Sequence, residues 1–285
     1  MELKLGLIGI SIEASRAPSL HCMLGSIYGA QVSYDLNDPG NNSQVIFAQT
    51  LNRLREEGYT GCNVTYPFKQ TAMEFVDDAD EAATTVGATN TLYLKDGKVV
   101  ATNTDYSGFI RGYQYRRGDA PAGDTLLIGA GGVGRAVAFG LAKVGGKTVY
   151  IFDLNGADAQ SLAHSLIEAG MSAEVITSAQ LAATAKKVSG LVNCTPVGHL
   201  KSPGNPLAVE LFGGQQWAFD AVYTPIDTEF LCAANVAGLD LVSGFDLFYY
   251  QGIDAYQFFS QNEIEPLAAL APFKAKFDIH SKLVN

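Results

Sequence analysis

Residues 125–142 read TLLIGAGGVGRAVAFGLA, and this stretch decides the fold. Four residues, Thr125 to Ile128, form an apolar strand pattern, the glycines follow at once as Gly129-x-Gly131-x-x-Gly134, and an apolar helix pattern follows them. In that setting the glycines permit a tight turn, close approach to a pyrophosphate and close packing of helix on strand, while the helix N-terminus supplies a positive dipole. The loop residues Gly129, Ala130, Gly131, Gly132, Val133 and Gly134 are therefore candidates for dinucleotide binding. The next strand, KTVYIFD, ends at Asp153, 19 residues beyond Gly134. An acid there accepts hydrogen bonds from the ribose hydroxyls and repels a 2′-phosphate, so the residues favour NAD and disfavour NADP, which stays possible. The alternative is a glycine-rich turn and a solvated aspartate that bind nothing.

Outward from this stretch, apolar runs alternate with helix-period segments along the whole chain, the pattern of an α/β protein with largely parallel sheets. After it come strand candidates AEVIT, GLVNCT, WAFDAV and LDLVSG at helix-sized gaps, which makes a Rossmann-type, doubly wound parallel sheet. Before it lie strands at LKLGLIGI, QVSYDL and GCNVTYP, a helix over 43–57 with Ser43 as N-cap and Gly58 as C-terminal stop, a helix at KQTAMEFV, and a hairpin turned at Asp96-Gly97. Pro18 suits an early position in a helix over PSLHCMLGSIYG, where a missing N–H costs nothing. Residues 245–285 are helical in pattern again, and their aromatic face is expected to return to the first domain. The expected division is a three-layer α/β domain of residues 1–105 completed by 247–285, and a dinucleotide-binding domain of residues 106–246.

The 285 residues, 47% hydrophobic, bury at least one substantial core, and a net charge of -10 offers no basic surface to nucleic acid or anionic lipid. No apolar run approaches the roughly 18–20 residues that span a bilayer, and the N-terminus lacks signal-peptide features, so a cytoplasmic protein is expected. The four cysteines and four histidines are scattered without metal-ligand spacing, which predicts no metal site and reduced thiols. A monomer and a homodimer are equally compatible with the composition.

Three polar clusters stand where strands end: Asn63-Val-Thr65-Tyr-Pro-Phe-Lys69, Gly87-Ala-Thr-Asn90-Thr91 and Thr102-Asn-Thr104-Asp105. If they converge, they offer an ammonium, a carboxylate and several amides and hydroxyls, a set that suits a small polyhydroxylated molecule. Moving a hydride from a secondary alcohol requires the hydroxyl proton to leave, hence a general acid/base. No histidine lies in a plausible cluster, so Lys69 is the candidate, held by Asp105. Against this stands a plain reading, with Lys69 a solvated lysine at a helix start and Asp105 the N-cap of the helix over YSGFIRGYQ.

The motifs NVTYPFK, GATNT, NTDYSG, GAGGVGRA, NCTPVG, DAVYTP and GFDLFYYQG, in this order, resemble the shikimate and quinate dehydrogenase family over nearly the whole chain. The resemblance implies a two-domain enzyme with its site in the cleft between domains, Lys69 as acid/base and Asp105 as its partner. It further implies that Thr65 and Asn90 contact ring hydroxyls of a cyclic polyhydroxy acid, that Tyr223 and Gln251 line the substrate site, that Leu154, Thr195 and Ala221 bind the cofactor, and that Gly244 and Leu247 lie near the nicotinamide. Leu247 stands where a methionine is common. Family members usually carry two hydroxyl residues near the N-terminus that bind the substrate carboxylate, whereas here Ser15-Arg16-Ala17-Pro18 keeps Ser15 and replaces the second by Ala17. Arg16 is then either a substitute clamp on the carboxylate or an exposed side chain. The biosynthetic branch carries a basic patch after the second Rossmann strand, and Asp153-Leu154-Asn155 has none. Two other readings stay open: a dehydrogenase of an amino-substituted or non-carboxylate analogue, and a non-catalytic NAD sensor.

Overall fold

The computed structural model describes residues 1–277 and 281–284. The chain divides into two compact units, Met1–Ser107 with Tyr249–Ile279, and Gly108–Phe248 with His280–Asn285. Of the stretch expected to complete the first domain, Leu247, Phe248 and the last residues belong to the second unit, and residues 278–280 and 285 lie outside the described residues.

The first unit runs β1 (Glu2–Ile8), α1 (Ala17–Tyr28), β2 (Gln31–Asn37), α2 (Gln44–Glu56), β3 (Gly61–Val64), β4 (Asp78–Ala79), α3 (Glu81–Val86), β5 (Thr91–Lys95) and β6 (Lys98–Thr102). Then α4 (Thr104–Arg117) crosses the boundary between units. The sheet order is β2-β1-β3-β5-β6-β4, and β5 is antiparallel to both of its neighbours. That reversal is built by Asp96 and Gly97, whose φ angles of 52° and 77° match the twist of a two-residue hairpin. Helix α2 starts after Ser43 and ends at Glu56, with Gly58 at φ 76° closing it. The expected helix at KQTAMEFV is only a 3-10 turn over Thr71–Phe75, because Val76 is already extended and Asp78 joins β6 as β4. Phe47, Leu51 and Leu54 of α2 enter a core with Val64, Phe68 and Leu92, and the rings of Phe47 and Phe68 stack at 5.1 Å. Full burial of one such phenylalanine contributes about 2–3 kcal/mol, and here it also fixes the backbone one residue before Lys69.

The second unit runs β7 (Gly123–Ile128), α5 (Gly132–Lys143), β8 (Gly146–Phe152), α6 (Gly156–Glu168), β9 (Ser172–Val175), α7 (Ser178–Ala185), β10 (Gly190–Asn193), β11 (Trp217–Asp220), α8 (Glu229–Val236) and β12 (Asp240–Ser243). Helices α9 (Gly244–Ser260) and α10 (Pro266–Lys276) follow, and α9 begins in this unit and continues into the first. The order β12-β11-β10-β7-β8-β9 is parallel throughout, the doubly wound arrangement expected from the glycine motif. The order reverses between β7 and β10, so the ends of these strands, Ile128 and Asn193, mark the switch point where such sheets bind ligands. Leu126, Ile128, Leu191, Ala218 and Phe230 share one core. The start of α9 is pinned inside this unit: Asp246 accepts from the Ser243 N–H and hydroxyl, and the Arg116 guanidinium of α4 donates to the same carboxylate at 2.9–3.1 Å. Among the described residues no helix is long and apolar enough to cross a membrane.

Candidate active site

Because β5 runs against β3 and β6, its first residue lies at the same sheet edge as their last ones. The register pairs Asn63 with Thr91 and Thr91 with Thr102. The three polar clusters of the first unit therefore do converge, and a set of buried hydrogen bonds joins them. Asn90 Oδ1 accepts the Thr104 N–H at 2.7 Å, Asn63 Nδ2 donates to Thr91 Oγ1 at 3.0 Å, and Asn103 Nδ2 donates to the Ala88 carbonyl at 2.8 Å. Asn90 is thus engaged with Thr104, the residue before Asp105, and its amide positions the start of α4.

Lys69 enters this cluster from the loop after β3. The Phe68 N–H closes a turn onto the Thr65 carbonyl, the Phe68 ring anchors in the core, and the Thr89 N–H binds the Lys69 carbonyl at 2.8 Å. Thr65 is half-buried, and its methyl would meet a β-carbon added at Gly9 at 2.2 Å, so glycine lets the two loops touch. The Lys69 ammonium donates to Asp105 Oδ2, and the two side chains are only 12% and 9% exposed. This disposes of the plain reading of both residues. Lys69 is not solvated, and the N-cap of α4 is Asn103, whose Oδ1 accepts the Tyr106 N–H at 3.0 Å, with Asp105 inside the first turn. Ser107, two residues on, donates to buried Asp254 of α9, three residues past Gln251 and on the same helix face.

At the N-terminus of α1, Ser15 Oγ accepts the Ala17 N–H at 3.2 Å. Arg16 occupies the N-cap position, and its guanidinium carbon lies 6.0 Å from the centre of the Phe277 ring. Its side chain is neither fully exposed nor on the Ser15 hydroxyl. A cation over an aromatic ring gains about 0.5–1 kcal/mol at such a site.

In the second unit, Gly129 has φ 100°, and a β-carbon on Gly134 would lie 2.0 Å from the Gly129 carbonyl oxygen, so helix α5 packs onto the loop only without one. A β-carbon on Gly131 would meet nothing within 4 Å, which leaves the α5 N-terminus, with Gly132 and Val133 in its first turn, open to an anionic group. Asp153 stands at the end of β8, where Oδ2 accepts the Ala130 N–H at 2.6 Å and Oδ1 the Asn155 N–H at 2.8 Å. Leu154 is 95% exposed. These features fit a dinucleotide: a cradle for a pyrophosphate and a carboxylate fixed beside it. Across the switch point, Thr195 gives its N–H and hydroxyl to Asn193 Oδ1, and Gly244 lies so close to Ala221 that a β-carbon would reach its carbonyl oxygen at 2.3 Å. Leu247 is buried in the first turn of α9, and Tyr223 stacks on Phe248 with ring centres 4.7 Å apart. Among the described residues no group of three or more His, Cys, Asp or Glu side chains could hold a metal ion.

Residues 7–92 match the family described as the shikimate dehydrogenase substrate binding domain. A shikimate dehydrogenase (NADP(+)) of Pseudarthrobacter chlorophenolicus is 33% identical over 266 residues, spanning 92% of this chain and 90% of the relative. The chain belongs to the shikimate and quinate dehydrogenase family. It is an NAD(P)-dependent dehydrogenase. A quinate/shikimate dehydrogenase (NAD(+)) of Corynebacterium efficiens is 34% identical, covering 90% of this chain and 92% of that one. Among solved structures, quinate dehydrogenase from Corynebacterium glutamicum in complex with NAD superimposes with a TM-score of 0.89 at 30% identity, over 97% of this chain and 99% of that one. Shikimate 5-dehydrogenase from Thermus thermophilus, in complex with NADP(H) and shikimate, gives 0.82 at 29% identity over 96% and 99%. The relatives in this dehydrogenase family thus carry both cofactor names.

Residues that sequence reasoning passed over are Asn193 and Asp220, which lie within the quoted motifs, and Asp254. The only available signal was that the first two close strands β10 and β11.

Proposed function

We propose that this dehydrogenase oxidises a ring hydroxyl of shikimate, quinate or a close analogue with NAD as the preferred oxidant, Lys69 and Asp105 serving as the acid/base pair. The observation that carries this reading is the largely buried Lys69–Asp105 ion pair at the edge where the polar clusters meet. The cyclic acid is held by Ser15, Thr65, Asn90 and Gln251 of the first unit, and Tyr223 is a further contact proposed for it. The second unit holds the dinucleotide through the glycine loop, Asp153 and Leu154, with Thr195, Ala221, Gly244 and Leu247 at the nicotinamide end. When bound, the nicotinamide ring takes up or returns a hydride.

In oxidation, the Lys69 ammonium first releases a proton to water, and its neutral Nζ then takes the proton that leaves the substrate hydroxyl; in reduction the ammonium gives a proton to the ketone oxygen. Such proton transfer typically accelerates the step by about 10² to 10⁴. Asp105 keeps the amine in place and stabilises the ammonium that proton uptake produces. Partial burial of the pair strengthens that interaction relative to bulk water.

Preference for NAD is supported by the Asp153 carboxylate, which its bonds to the Ala130 and Asn155 N–H groups hold rigidly where a ribose 2′-phosphate would be repelled. Ala17 favours a secondary reading, an analogue that lacks the carboxylate, because it removes one donor for that group. Incubating the protein with NAD or NADP and, in turn, each cyclic acid and its analogue without the carboxylate, and following the reduced-nicotinamide absorbance, tests both readings. Shikimate or quinate with NAD should give the fastest rise, and no rise with any cyclic acid would overturn the assignment.

A further inference from the structure

At the end of β11, inside the second unit, stands the carboxylate of Asp220. Asp220 is fully buried, and among the described residues no lysine, arginine or histidine forms an ion pair with it. Three donors converge on it instead. Oδ1 accepts Asn193 Nδ2 at 2.9 Å and the Val222 N–H at 3.0 Å, and Oδ2 accepts the Thr228 hydroxyl at 2.6 Å. Burial pushes its pKa up from 3.8 to about 7, against the three hydrogen bonds that pull it down. Keeping a carboxylate there costs stability that a neutral side chain would not, and as an acceptor-only group it takes the Asn193, Val222 and Thr228 donors at once.

What the carboxylate holds explains the cost. Asn193 is paired in register with Asp220 across β10 and β11, and its other amide atom, Oδ1, accepts the Thr195 N–H and hydroxyl at 2.9 and 2.7 Å. Asn193 Nδ2 also donates to the Val197 carbonyl, and the Asn193 carbonyl accepts the Ala221 N–H at 2.8 Å. Thr228 completes the frame, since its hydroxyl oxygen also caps α8 by accepting the Leu231 N–H at 3.1 Å. One network therefore fixes residues 195–197 after β10 and 221–222 after β11.

We infer that Asp220, acting through Asn193 and Thr228, is a positioning residue that sets the two loops presenting Thr195 and Ala221 to the nicotinamide end of the dinucleotide. The inference rests on the proposed placing of the dinucleotide in the second unit. Its consequence is specific: loosening the network weakens dinucleotide binding while leaving the first unit's grip on the cyclic acid unaltered.

The test compares wild type, Asp220→Asn, Thr228→Val and Thr228→Ser. NAD binding is measured by titration calorimetry, which needs no turnover, and KM is then measured for each substrate. Asp220→Asn replaces the acceptor facing the Thr228 hydroxyl by an amide donor, and it should weaken NAD binding and raise the NAD KM by about tenfold, a larger factor than any change in the KM for the cyclic acid, whose contact Tyr223 follows the same loop. Thr228→Val should shift NAD binding the same way by a smaller factor, and Thr228→Ser, which keeps the hydroxyl, should restore it. Should Asp220→Asn fail to fold, the Thr228 pair decides. Wild-type NAD affinity in folded Asp220→Asn, or in Thr228→Val, would overturn the inference. Wild-type protein that binds no dinucleotide would instead overturn the proposed function.

Discussion

Lys69 donates to Asp105 across 36 positions of sequence, from the loop after β3 to the first turn of α4. The pair exists because three other features hold the two backbones: the Phe68 ring in the core, the Thr89 N–H on the Lys69 carbonyl, and the Asn90 amide oxygen on the Thr104 N–H. Removing Lys69 alone would leave an unpaired carboxylate 9% exposed, an arrangement that costs stability as well as chemistry.

Restoring the second hydroxyl near the N-terminus should tighten substrate binding. A hydrogen bond to a carboxylate contributes about 1.5–3 kcal/mol, so Ala17→Ser should lower the KM for shikimate or quinate by roughly tenfold or more. Steady-state kinetics with both acids check this. An unchanged KM would mean that the carboxylate is bound elsewhere.

Cofactor choice should turn on one side chain. Asp153→Ala removes a fixed negative charge, and at about 4 Å two unit charges interact by about 1–4 kcal/mol near a protein surface. The ratio of kcat/KM for NADP to that for NAD should therefore rise about tenfold or more. If both cofactors lose equally, Asp153 acts only as a brace for the glycine loop through Ala130.

Acid stability should depend on His21. Its ring is buried in the first unit, stacked on Tyr34 at 5.2 Å and edge-on to Phe259 at 5.4 Å, and burial lowers its pKa from 6.5 to about 3, against a hydrogen bond with Asn63 that raises it. The unfolded chain takes up a proton near pH 6.5 that the folded chain refuses until about pH 3. The stabilisation is therefore complete above pH 6.5 and declines as pH falls toward 3, by about 4 kcal/mol at the lower end. In urea unfolding at pH 7 and pH 4, wild type should lose stability relative to His21→Phe on acidification. Parallel losses in the two proteins would contradict this.

Much of this architecture was legible in the sequence, for identifiable reasons. The second sheet was readable because the glycine motif falls between a strand pattern and a helix pattern, with a further strand ending at Asp153. Asp96-Gly97 announced its hairpin in the same way, through residues that tolerate positive φ. Helix length was harder: KQTAMEFV has helical composition, but the pairing of Asp78 with Val100 claims the chain after one and a half turns. Local composition also made Asp105 look like a cap. The cap fell to Asn103 because its amide is held from the far side by the Ala88 carbonyl, a contact invisible to a linear reading. Arg16 was placed by Phe277, 261 positions away, and Asp220 drew its meaning from Asn193 on a neighbouring strand.

The most direct test of the account is the single-turnover rate of NAD reduction by Lys69→Ala with a saturating cyclic acid, measured beside wild type after circular dichroism has shown the same fold. The account predicts a fall of about 10² or more in that rate, with NAD binding unchanged. A folded variant that reduces NAD at the wild-type rate would contradict it.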